Sequence, residues 1–357
     1  MIPLTRPYFT VREKEIVNNI LDSGWLTGGK YTKIFEDQAK EIMGYKYACA
    51  VNSCTSALFL SINALALEQR SEIIVPSNTF IATVNSICLN GHIPIFCDID
   101  KNGMMDLKSA EKVLSEKTMG IIPVQYAGQL FDIDKLMDFC CFHDLEMIMD
   151  SAHSFGSPQY GLWGSECFSF HNTKNFSTGE GGMIMTNQKW LYNAVRCSRQ
   201  HGLEIEKNGI IKNYILQWPG YNMRMTELQA GLGLTQIDKL KTIKEKRYSI
   251  YKKYKEAFGD LIPLSEEQGM NYHIIPLLVS EDKRDEIRKQ LWKLGIQTNI
   301  HYKPCHTYDF YNNSLHIRTD LSRSEEWGKR EITIPFYTDM EDTDIDYVIE
   351  RVLEVII

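Results

Sequence analysis

The sequence predicts an α/β protein: a large domain with a mostly parallel central sheet flanked by helices, then a small C-terminal α+β domain. Short apolar runs alternate with helical patterns through the first 150 residues. Strands that are apolar on both faces and separated by helices are typical of parallel sheets covered on two sides. The chain of 357 residues also exceeds one ordinary domain. We place the boundary near residue 240, so that residues 1–240 form the large domain and 241–357 the small one.

Two helices are expected at the start of the chain. Thr10 and Glu13 have the spacing of a capping box, and an apolar face follows them at helical intervals. This helix should end at Gly24, because glycine is the usual residue just past a helix end. A second helical pattern begins near Tyr31 and ends at Gly44 for the same reason.

Strand and helix patterns then alternate as far as Asp150. The apolar runs are YACAV, IIVP, IPIFCD, GIIPV and EMIMD, and the helical patterns between them cover Thr55 to Leu67, Thr79 to Asn90, Leu107 to Leu114 and Ile133 to His143. In parallel sheets, ligands bind beyond the carboxyl ends of the strands, so the residues that directly follow each run are site candidates. These candidates are Asn52 to Ser56, Ser77 to Phe80, Gln125 and Asp150.

The rest of the chain has a different organisation. A long helical pattern from Thr226 to about Phe258 leads into the small domain. After it come the apolar runs YHIIPLLV, IQTNI and ITIPF, a helical pattern from Lys283 to Leu294, and a final helix that begins at Asp342. This mixture of short strands and helices predicts the small α+β unit.

Composition argues against two classes of protein. The formal net charge of -7 and the pI near 5.8 disfavour a nucleic-acid binder, which needs a clustered excess of Lys and Arg. The basic run from Lys239 to Lys255 carries Ile243, Tyr251 and Tyr254 at near-helical spacing, which indicates the solvated face of a helix. The uncharged stretch from Ile73 to Cys97 is interrupted by proline, asparagine and glycine, so we expect no membrane span there.

The cysteines and the first residues predict the cellular location. Nine cysteines show no spacing typical of a disulfide framework, and their odd number leaves at least one unpaired. The start, MIPLTRPYF, lacks the basic and apolar regions of a signal peptide. We therefore expect a reducing, cytoplasmic environment.

The densest chemical signal is the segment FSFHNTKNFSTGEGG, residues 168–182. Lys174 lies there among small polar residues, and the glycines that follow allow a cofactor to approach the backbone closely. An amine whose charge is disfavoured has a lowered pKa, which a Schiff-base lysine requires. Taken alone, the segment would indicate a polar surface turn after a strand.

Asp150 supplies a carboxylate at the same predicted edge of the sheet. It ends an apolar strand and begins DSAHSFG. A carboxylate in this position can hold the proton of a pyridine nitrogen, and the ring then acts as an electron sink for a carbanion at the substrate carbon. On this residue alone, a helix-capping or turn aspartate is an equal alternative.

Three further signals fit a bound cofactor and also have simpler structural explanations. The run NSCTSA, residues 52–57, places small polar residues at a helix start, where backbone amides bind phosphate, although N-capping by Ser53 or Thr55 explains the same pattern. Phe80 is expected either to stack on a planar ring or to belong to the core. His153 is expected either to contact the cofactor or donor or to be a satisfied buried histidine.

The segment HYKPCH suggests a metal site, because it places His301, Cys305 and His306 close together in sequence. Tetrahedral sites need three or four protein ligands, and the sequence has no second ligand cluster at zinc-finger spacing. We therefore expect no metal.

Together these motifs resemble the DegT/StrS-type sugar aminotransferases, which have the aspartate-aminotransferase-like fold of fold type I pyridoxal 5'-phosphate (PLP) enzymes. The resemblance covers essentially the whole chain. The matching segments are RPYFT, SGWLTGGKYTKIFE, NSCTSAL, VPSNTFIATVNSI, PVQYAG, DSAHSFG, SFHNTKNFSTGEGG, GYNMRMTELQAGLGLTQIDKL and HYKPCH. The resemblance implies an aminotransferase with PLP as cofactor.

The resemblance implies roles for residues around the cofactor ring. Lys174 matches the lysine that forms the internal aldimine and shuttles the proton between donor and cofactor. Asp150 matches the carboxylate on the pyridine nitrogen, and Phe80 matches the aromatic residue that covers the ring. His153 matches a variable polar position beside the ring.

The resemblance also predicts how the cofactor phosphate is bound. Cys54 and Thr55 match the backbone phosphate anchor, and Ser169 matches a hydroxyl donor. Asn222 matches the asparagine that reaches the phosphate from the neighbouring subunit. An obligate homodimer with shared active sites follows from that match.

Substrate contacts are predicted from the same resemblance. Thr27 and Gly28 belong to the family's neighbouring-subunit loop and should lie near the substrate. Tyr302 and His306, from the segment HYKPCH, are predicted to contact it as well. Gln125 stands where many members have histidine, and we assign it to the expected sugar pocket. The segment GLWGSECF before the lysine motif is shorter than usual.

The implied reaction runs in two halves with ping-pong kinetics. L-glutamate donates its amino group, leaves as 2-oxoglutarate, and a nucleotide-linked keto-sugar then accepts the group from pyridoxamine phosphate. The form HNTKN resembles members that act on thymidine-diphosphate-linked 3-keto or 4-keto-6-deoxy-hexoses. The product would be an aminosugar for a surface glycan such as the O-antigen of lipopolysaccharide.

Three other functions compete with this one. A PLP-dependent sugar dehydratase has its lysine replaced, so the presence of Lys174 argues against it. An aminotransferase for a cyclitol or another small ketone stays open. A PLP-binding regulatory protein with a vestigial site is disfavoured because Lys174, Asp150 and the GEGG turn are all retained.

Overall fold

The computed structural model describes residues 1–157, 164–205, 211–265, 270–313 and 315–356. Within them the central sheet has seven strands in the order β1-β7-β6-β5-β4-β2-β3. These strands are β1 Tyr47–Val51, β2 Glu72–Pro76, β3 Ile93–Cys97, β4 Thr118–Ile121, β5 Glu146–Asp150, β6 Ser165–Ser169 and β7 Gly182–Thr186. Strand β7 runs antiparallel to both neighbours, whereas the other pairs are parallel. The predicted α/β class is confirmed.

Helices cover this sheet and build the second half of the chain. In the described residues they are α1 Val11–Ser23, α2 Lys30–Met43, α3 Cys54–Ala64, α4 Ile81–Leu89, α5 Leu107–Lys112, α6 Ile133–Phe142, α7 Lys189–Ser198, α8 Glu227–Ile237, α9 Leu240–Phe258, α10 Arg284–Lys293, α11 Ser322–Arg330 and α12 Asp342–Ile356. None of the helices that the structure describes is long and apolar enough to cross a membrane.

The predicted boundaries of α1 are confirmed by its caps. The Thr10 side chain accepts a hydrogen bond from the helix backbone and Glu13 bonds back to the Thr10 N–H, so the capping box is formed. Gly24 ends the helix with φ of 69°, a left-handed conformation that favours glycine. The first helix therefore begins and ends where the local sequence directs.

The central sheet is buried on both faces, as the apolar strands predict. In β5, Met147 and Met149 pack into one hydrophobic cluster with Phe35 and Phe170. The intervening Ile148 packs into the cluster on the opposite face. Alternate residues of a strand point to opposite faces, so a continuous apolar run satisfies both clusters.

The long helical pattern from Thr226 to Phe258 forms two helices, and the expectation of one continuous pattern is wrong at residues 238–239. Helix α8 ends at Ile237, and α9 begins at Leu240. The two hydrophobic clusters on the faces of the central sheet form the first core, and α8 contacts α1 and α2 there. The buried face of α9 belongs to a second core, which α9 builds with α10 and α12. The break lets each helix face its own core.

A second hydrophobic core lies beyond the central sheet. It is built by α9, α10 and α12 together with a two-stranded antiparallel sheet of β10 Ile275–Leu278 and β11 Glu331–Ile334. Residues from the first half of the chain, including Ile99, Met104 and Tyr126, also belong to it. The division of the chain near residue 240 therefore stays a prediction.

Three parts of the chain differ from the strand pattern expected from the sequence. The run IQTNI forms isolated bridges and no full strand, through Ile296 with Ile2 and Asn299 with Thr333. Strand β7 was not predicted. The hairpin of β8 Leu203–Ile205 and β9 Ile211–Leu216 was not predicted either.

Candidate active site

A cavity of about 610 Å3 opens at the carboxyl ends of β1, β2, β5 and β6. Its opposite wall comes from the second core, through residues such as His273, His301 and Phe336. Eight of the residues singled out in the sequence line it: Cys54, Thr55, Phe80, Asp150, His153, Ser169, Lys174 and Tyr302. The cavity lies where ligands bind in open parallel sheets.

Lys174 lies in a tight turn between β6 and β7. Its backbone N–H donates to the carbonyl oxygen of His171, and Thr178 donates to that of Phe170, each at 2.9 Å. Phe176 is buried against Phe170 with ring centroids 4.9 Å apart, so the turn is anchored directly after the lysine. The sequence alone also allowed a polar surface turn. The packing of these two buried aromatic rings excludes that alternative.

The amine of Lys174 loses its proton more readily than the amine of an exposed lysine. Burial lowers its pKa to about 8, and the nearby Asp150 carboxylate opposes the shift. Among the described residues the ε-amine has no hydrogen-bond partner. It is therefore free to attack a carbonyl carbon, as a nucleophilic amine must be.

Asp150 ends β5 and is almost completely buried. Its two carboxylate oxygens accept hydrogen bonds from the Thr83 hydroxyl at 2.7 Å and from the Ala152 N–H at 3.1 Å. Burial raises its pKa, because two neutral donors compensate a buried negative charge only in part. A cationic partner in the cavity would restore the charge balance.

His153 and Tyr302 form a hydrogen-bond chain whose direction is determined by the backbone. The Ala127 N–H donates to His153 Nδ1 at 3.1 Å, so this nitrogen carries no proton. Burial holds the pKa of His153 well below its usual value, so the neutral ring carries its proton on Nε2. That N–H points at the Tyr302 hydroxyl, 3.0 Å away. Tyr302 can then donate its own proton into the cavity.

The start of α3, residues 53–56, lies at the cavity with the geometry expected of an anion site, and because of this expectation we call it the phosphate turn. Ser53 caps the helix by accepting from the Ser56 N–H at 3.1 Å. The N–H groups of Cys54 and Thr55 belong to the first turn, have no partner within the helix, and lie on the cavity wall. A helix N-terminus with free N–H groups binds phosphate. Ser169, on the same wall, adds a hydroxyl.

Gly182 makes this turn possible. A Cβ atom at this position would lie 2.6 Å from the Cys54 nitrogen and would overlap the Ser53 backbone. Strand β7 and the start of α3 can approach this closely only because residue 182 has no side chain. The GEGG segment therefore shapes the phosphate turn through packing.

Two residues that the sequence assigned to the substrate pocket do not lie on the cavity of this chain. Gln125 is fully buried beneath the site, where its carbonyl accepts from the Ser154 hydroxyl. His306 is also buried, with Nδ1 2.6 Å from the Ser77 hydroxyl and Nε2 3.3 Å from Glu325. Neither lines the cavity. Their polar groups are engaged in structural contacts that connect distant segments.

Three residues predicted to act across a subunit boundary do not line this chain's cavity. Thr27 and Asn222 are exposed and Gly28 is partly exposed. The loop that carries Thr27 and Gly28 is held by Glu227, which accepts hydrogen bonds from the N–H groups of Gly29, Tyr31 and Thr32 at 2.7 to 2.9 Å. Part of the short segment GLWGSECF, residues 161–163, lies outside the described residues.

Several cavity residues carried too weak a signal to be singled out as site residues. From the sequence, residues that follow a strand are site candidates, and His273 was missed because it lies before β10. His301 was noted only as a metal candidate, and here its Nδ1 lies 2.7 Å from the Thr333 hydroxyl. Lys303 and Tyr308 line the mouth, with the ammonium 4.4 Å from the centre of the Tyr308 ring. Only folding brings these segments to the cavity.

The whole chain matches one family of enzymes. Residues 7–353 match the model of the DegT/DnrJ/EryC1/StrS aminotransferase family.

The chain belongs to this aminotransferase family.

Relatives extend the match over nearly the full length of the chain. The spore coat polysaccharide biosynthesis protein SpsC of Bacillus subtilis is 32% identical over 377 residues, which covers 99% of this chain and 97% of SpsC. PseC of Helicobacter pylori, an aminotransferase involved in the biosynthesis of pseudoaminic acid, superposes with a TM-score of 0.92 at 28% identity over 99% of both chains. The sugar aminotransferase Spr1654 of Streptococcus pneumoniae, in its PLP form, has a TM-score of 0.91 at 30% identity over 99% of this chain and 98% of Spr1654.

As a member of the DegT/DnrJ/EryC1/StrS family, the protein is a PLP-dependent aminotransferase. The predicted enzyme class and cofactor are thereby confirmed. The residues of the cavity fit PLP at two places. The buried Asp150 carboxylate makes no ion pair among the described residues, and a pyridinium N–H would supply the cationic partner. The free N–H groups at the start of α3 would hold the phosphate. Phe80 is 57% exposed on the cavity wall, and this exposure leaves its ring face available for stacking.

Proposed function

We propose that the protein moves an amino group from L-glutamate to a nucleotide-linked keto-sugar. The proposed acceptor is a dTDP-linked 3-keto- or 4-keto-6-deoxy sugar, and the product an aminosugar for a surface glycan of the O-antigen type. One observation carries the proposal: Lys174 and Asp150 lie in the same cavity of about 610 Å3, which continues past them to an open mouth. A cavity of this size has room for a ligand larger than an amino acid.

The relatives support a sugar as the substrate. SpsC is named for polysaccharide biosynthesis, and PseC acts in the biosynthesis of pseudoaminic acid. Both match this chain from end to end, and both cavity-forming halves are included in the match. We infer that this chain acts on the same chemical class.

The mouth of the cavity supports an anionic substrate. Lys303 lies there over the ring of Tyr308, which directs its ammonium group without neutralising it. The diphosphate of a nucleotide-sugar and the carboxylate of glutamate both carry negative charge. An ammonium at the entrance attracts either substrate.

The residues of this chain have separate tasks in the proposed reaction. PLP, when bound, supplies an electron sink for the charge that develops at the substrate carbon. The Lys174 amine would bind the cofactor carbonyl and, when free, would carry the proton of the donor carbon. Asp150 would hold a proton on the ring nitrogen, and Phe80 would stack on the ring. The Cys54 and Thr55 N–H groups at the start of α3 would hold the phosphate.

We further propose a homodimer with shared active sites. Thr27 and Asn222 are exposed beside large apolar side chains, with Trp25 58% and Trp218 39% exposed. Clusters of exposed apolar residues mark interaction surfaces. Packing of two copies through these surfaces would cover the tryptophans and bring Asn222 of one chain to the phosphate turn of the other.

The two half-reactions can be tested separately with the PLP-loaded protein. L-glutamate should bleach the visible absorption of the cofactor and release 2-oxoglutarate in the same amount. A panel of ketones should then restore the colour: dTDP-3-keto- and dTDP-4-keto-6-deoxy-hexoses, their uridine-diphosphate analogues, and a free cyclitol ketone. The matched control is Lys174→Ala, which should bind PLP without reacting.

Each outcome of the panel decides between functions. Restoration by a nucleotide-linked sugar supports the proposal, and the reactive sugar identifies the nucleotide and the carbon. Restoration by the cyclitol alone would replace the proposal with a small-ketone aminotransferase. A protein that stays yellow with every amino donor would be a PLP-binding protein without turnover.

A further inference from the structure

Two buried threonine hydroxyls form a hydrogen-bonded chain that ends at Asp150. Thr83 lies in the first turn of α4 and is 1% exposed, and its Oγ1 is 2.7 Å from Asp150 Oδ2. Thr79 precedes the helix and is equally buried, and its Oγ1 is 2.8 Å from that of Thr83. All three residues contribute to the wall of the cavity. The chain therefore connects three side chains at the point where the cofactor ring is expected.

The direction of this chain follows from the protons that it contains. An ionised carboxylate only accepts, so the single hydroxyl proton of Thr83 is donated to Asp150. The Thr83 oxygen can then only accept in its contact with Thr79, and the Thr79 hydroxyl is the donor. Both protons therefore point toward the carboxylate. Hydrogen bonds in series polarise one another, so Thr79 strengthens the bond that Thr83 makes.

The second oxygen of the carboxylate has its own donor. The Ala152 N–H donates to Asp150 Oδ1 at 3.1 Å. One donor on each oxygen holds the carboxylate in a single orientation. Each oxygen retains a lone pair, so the group can still accept from a donor that is bound in the cavity.

The charged form of Asp150 depends on the groups around it. Burial raises its pKa, and the Thr83 hydroxyl, the Ala152 N–H and the charge of Lys174 oppose this rise. Lys174 favours the anion only while its amine is charged, whereas the hydroxyls do so in every state of the lysine. The other titratable groups that interact with this carboxylate are uncharged, because burial raises the pKa of each: Cys54, Cys167 and Tyr302.

We infer that Thr83 and Thr79 are positioning residues: their hydroxyl chain keeps Asp150 ionised, so that the proton shared between this carboxylate and the cofactor ring stays on the ring nitrogen. Without the chain the carboxylate would be more basic and would take the proton for itself. The ring would then be neutral and a weaker electron sink. The inference rests on the proposed role of Asp150, and it does not depend on the amino donor or the sugar.

The protonation of the ring can be measured without turnover. PLP that carries an NMR-active nitrogen isotope in its ring is bound to the apoprotein, and the chemical shift of that nitrogen distinguishes a protonated from a neutral pyridine. The wild type should give the signal of the protonated ring. Thr83→Val, which has nearly the same shape but no donor, should move the signal by about half of the difference between the two forms.

Three further variants separate the hydroxyl chain from packing. Thr83→Ser restores the donor and should return the signal to that of the wild type. Thr79→Val leaves the direct bond in place and should move the signal in the same direction but less; it carries the test if Thr83→Val does not fold. Ser86→Ala removes a buried hydroxyl of the same helix that donates to the Ala82 carbonyl, and it should leave the signal unchanged.

Asp150→Asn is the reference and should give the signal of a neutral ring. If it does, and the signal is unchanged in Thr83→Val and Thr79→Val, is not restored in Thr83→Ser, or moves equally in Ser86→Ala, the inference is overturned while the role of Asp150 stands. A signal that Asp150→Asn leaves unchanged contradicts that role and this inference together. None of these measurements requires reaction with L-glutamate, so failure of the donor reaction would contradict the proposed function alone.

Discussion

Burial acts on the two principal residues of the site in opposite directions. It lowers the pKa of Lys174 to about 8 and raises the pKa of Asp150, because a buried space disfavours both charges. The lysine becomes a usable nucleophile near neutral pH. A nearby cation would stabilise the buried carboxylate, and a protonated ring nitrogen of PLP would supply one.

Capture of PLP by the apoprotein should become faster as the pH rises through about 8, the pKa of Lys174 in this cavity. Only the neutral amine attacks an aldehyde, and this form predominates above the pKa. Stopped-flow absorbance from about pH 6 to 10 measures the rate, with Lys174→Ala as the blank. A rate that rises only near pH 10, as for a solvent-exposed lysine, would contradict the effect of burial.

Asp150→Asn should retain the cofactor but slow the half-reaction with L-glutamate on the order of 100-fold. The amide can still accept from Thr83, yet it carries no charge to hold the proton on the ring nitrogen. Single-turnover bleaching with L-glutamate gives the rate. Asp150→Glu, which keeps the charge, is the control and should lose less. Near-normal rates in Asp150→Asn would remove the assigned role.

At the scale of elements, the phosphate turn depends on the contact between β7 and α3. The cap of α3 is local, since Ser53 bonds to Ser56, and the sequence shows it. The approach of β7 is not local, because Gly182 is more than a hundred residues away along the chain. The sequence predicts that this glycine lets a cofactor approach the backbone. In the structure, Gly182 lets the backbone of α3 approach β7.

Gly182→Ala should weaken PLP binding by roughly tenfold and lower stability by about 1–3 kcal/mol. The new Cβ would meet the Ser53 and Cys54 backbone and displace the first turn of α3. Equilibrium titration with PLP and thermal unfolding measure the two effects. Gly259→Ala is the control for PLP affinity: its Cβ would meet nothing within 4 Å, but its φ of 52° strains alanine, so this variant should lose stability without losing affinity for PLP. Unchanged PLP affinity in Gly182→Ala would contradict this packing role.

At the scale of the whole molecule, the cavity is assembled from two hydrophobic cores. Helix α9 and strands β10 and β11 build the second core, and the residues that flank these strands, such as His273 and Phe336, close one wall. The N-terminal segment adds Leu4 and Thr5 to the same wall. A fragment with the central sheet alone would therefore present Lys174 in an open groove.

Shared active sites in a homodimer predict complementation between inactive subunits. Lys174→Ala and Asn222→Ala chains should each be nearly inactive alone. Coexpression should restore about a quarter of wild-type activity, because half of the dimers are mixed and each mixed dimer has one intact site. Tandem affinity tags isolate the mixed dimer for assay. Absence of recovery in that dimer would argue that Asn222 acts within its own subunit or not at all.

Local signals in the sequence determined most of the elements and the central chemistry. These local features are the capping box at Thr10, the strands buried on both faces and the residues that end or follow them. Each depends on backbone geometry and on the burial of residues that are neighbours in sequence. Asp150 was found this way, because it ends an apolar strand, and Lys174 was found from the small polar residues and glycines around it. The break at Asp238 was missed, since only the positions of two separate cores require it.

The sequence by itself determined which reactive groups the protein carries and which local segments hold them, because those properties depend on neighbouring residues. Only the tertiary structure decided which polar groups face the cavity. It buried Gln125 and His306, brought His273 to the same cavity as Lys174, and determined which nitrogen of His153 carries the proton. Hydrogen-bond direction depends on partners such as Ala127, which is distant in sequence and meets His153 only when the chain is folded.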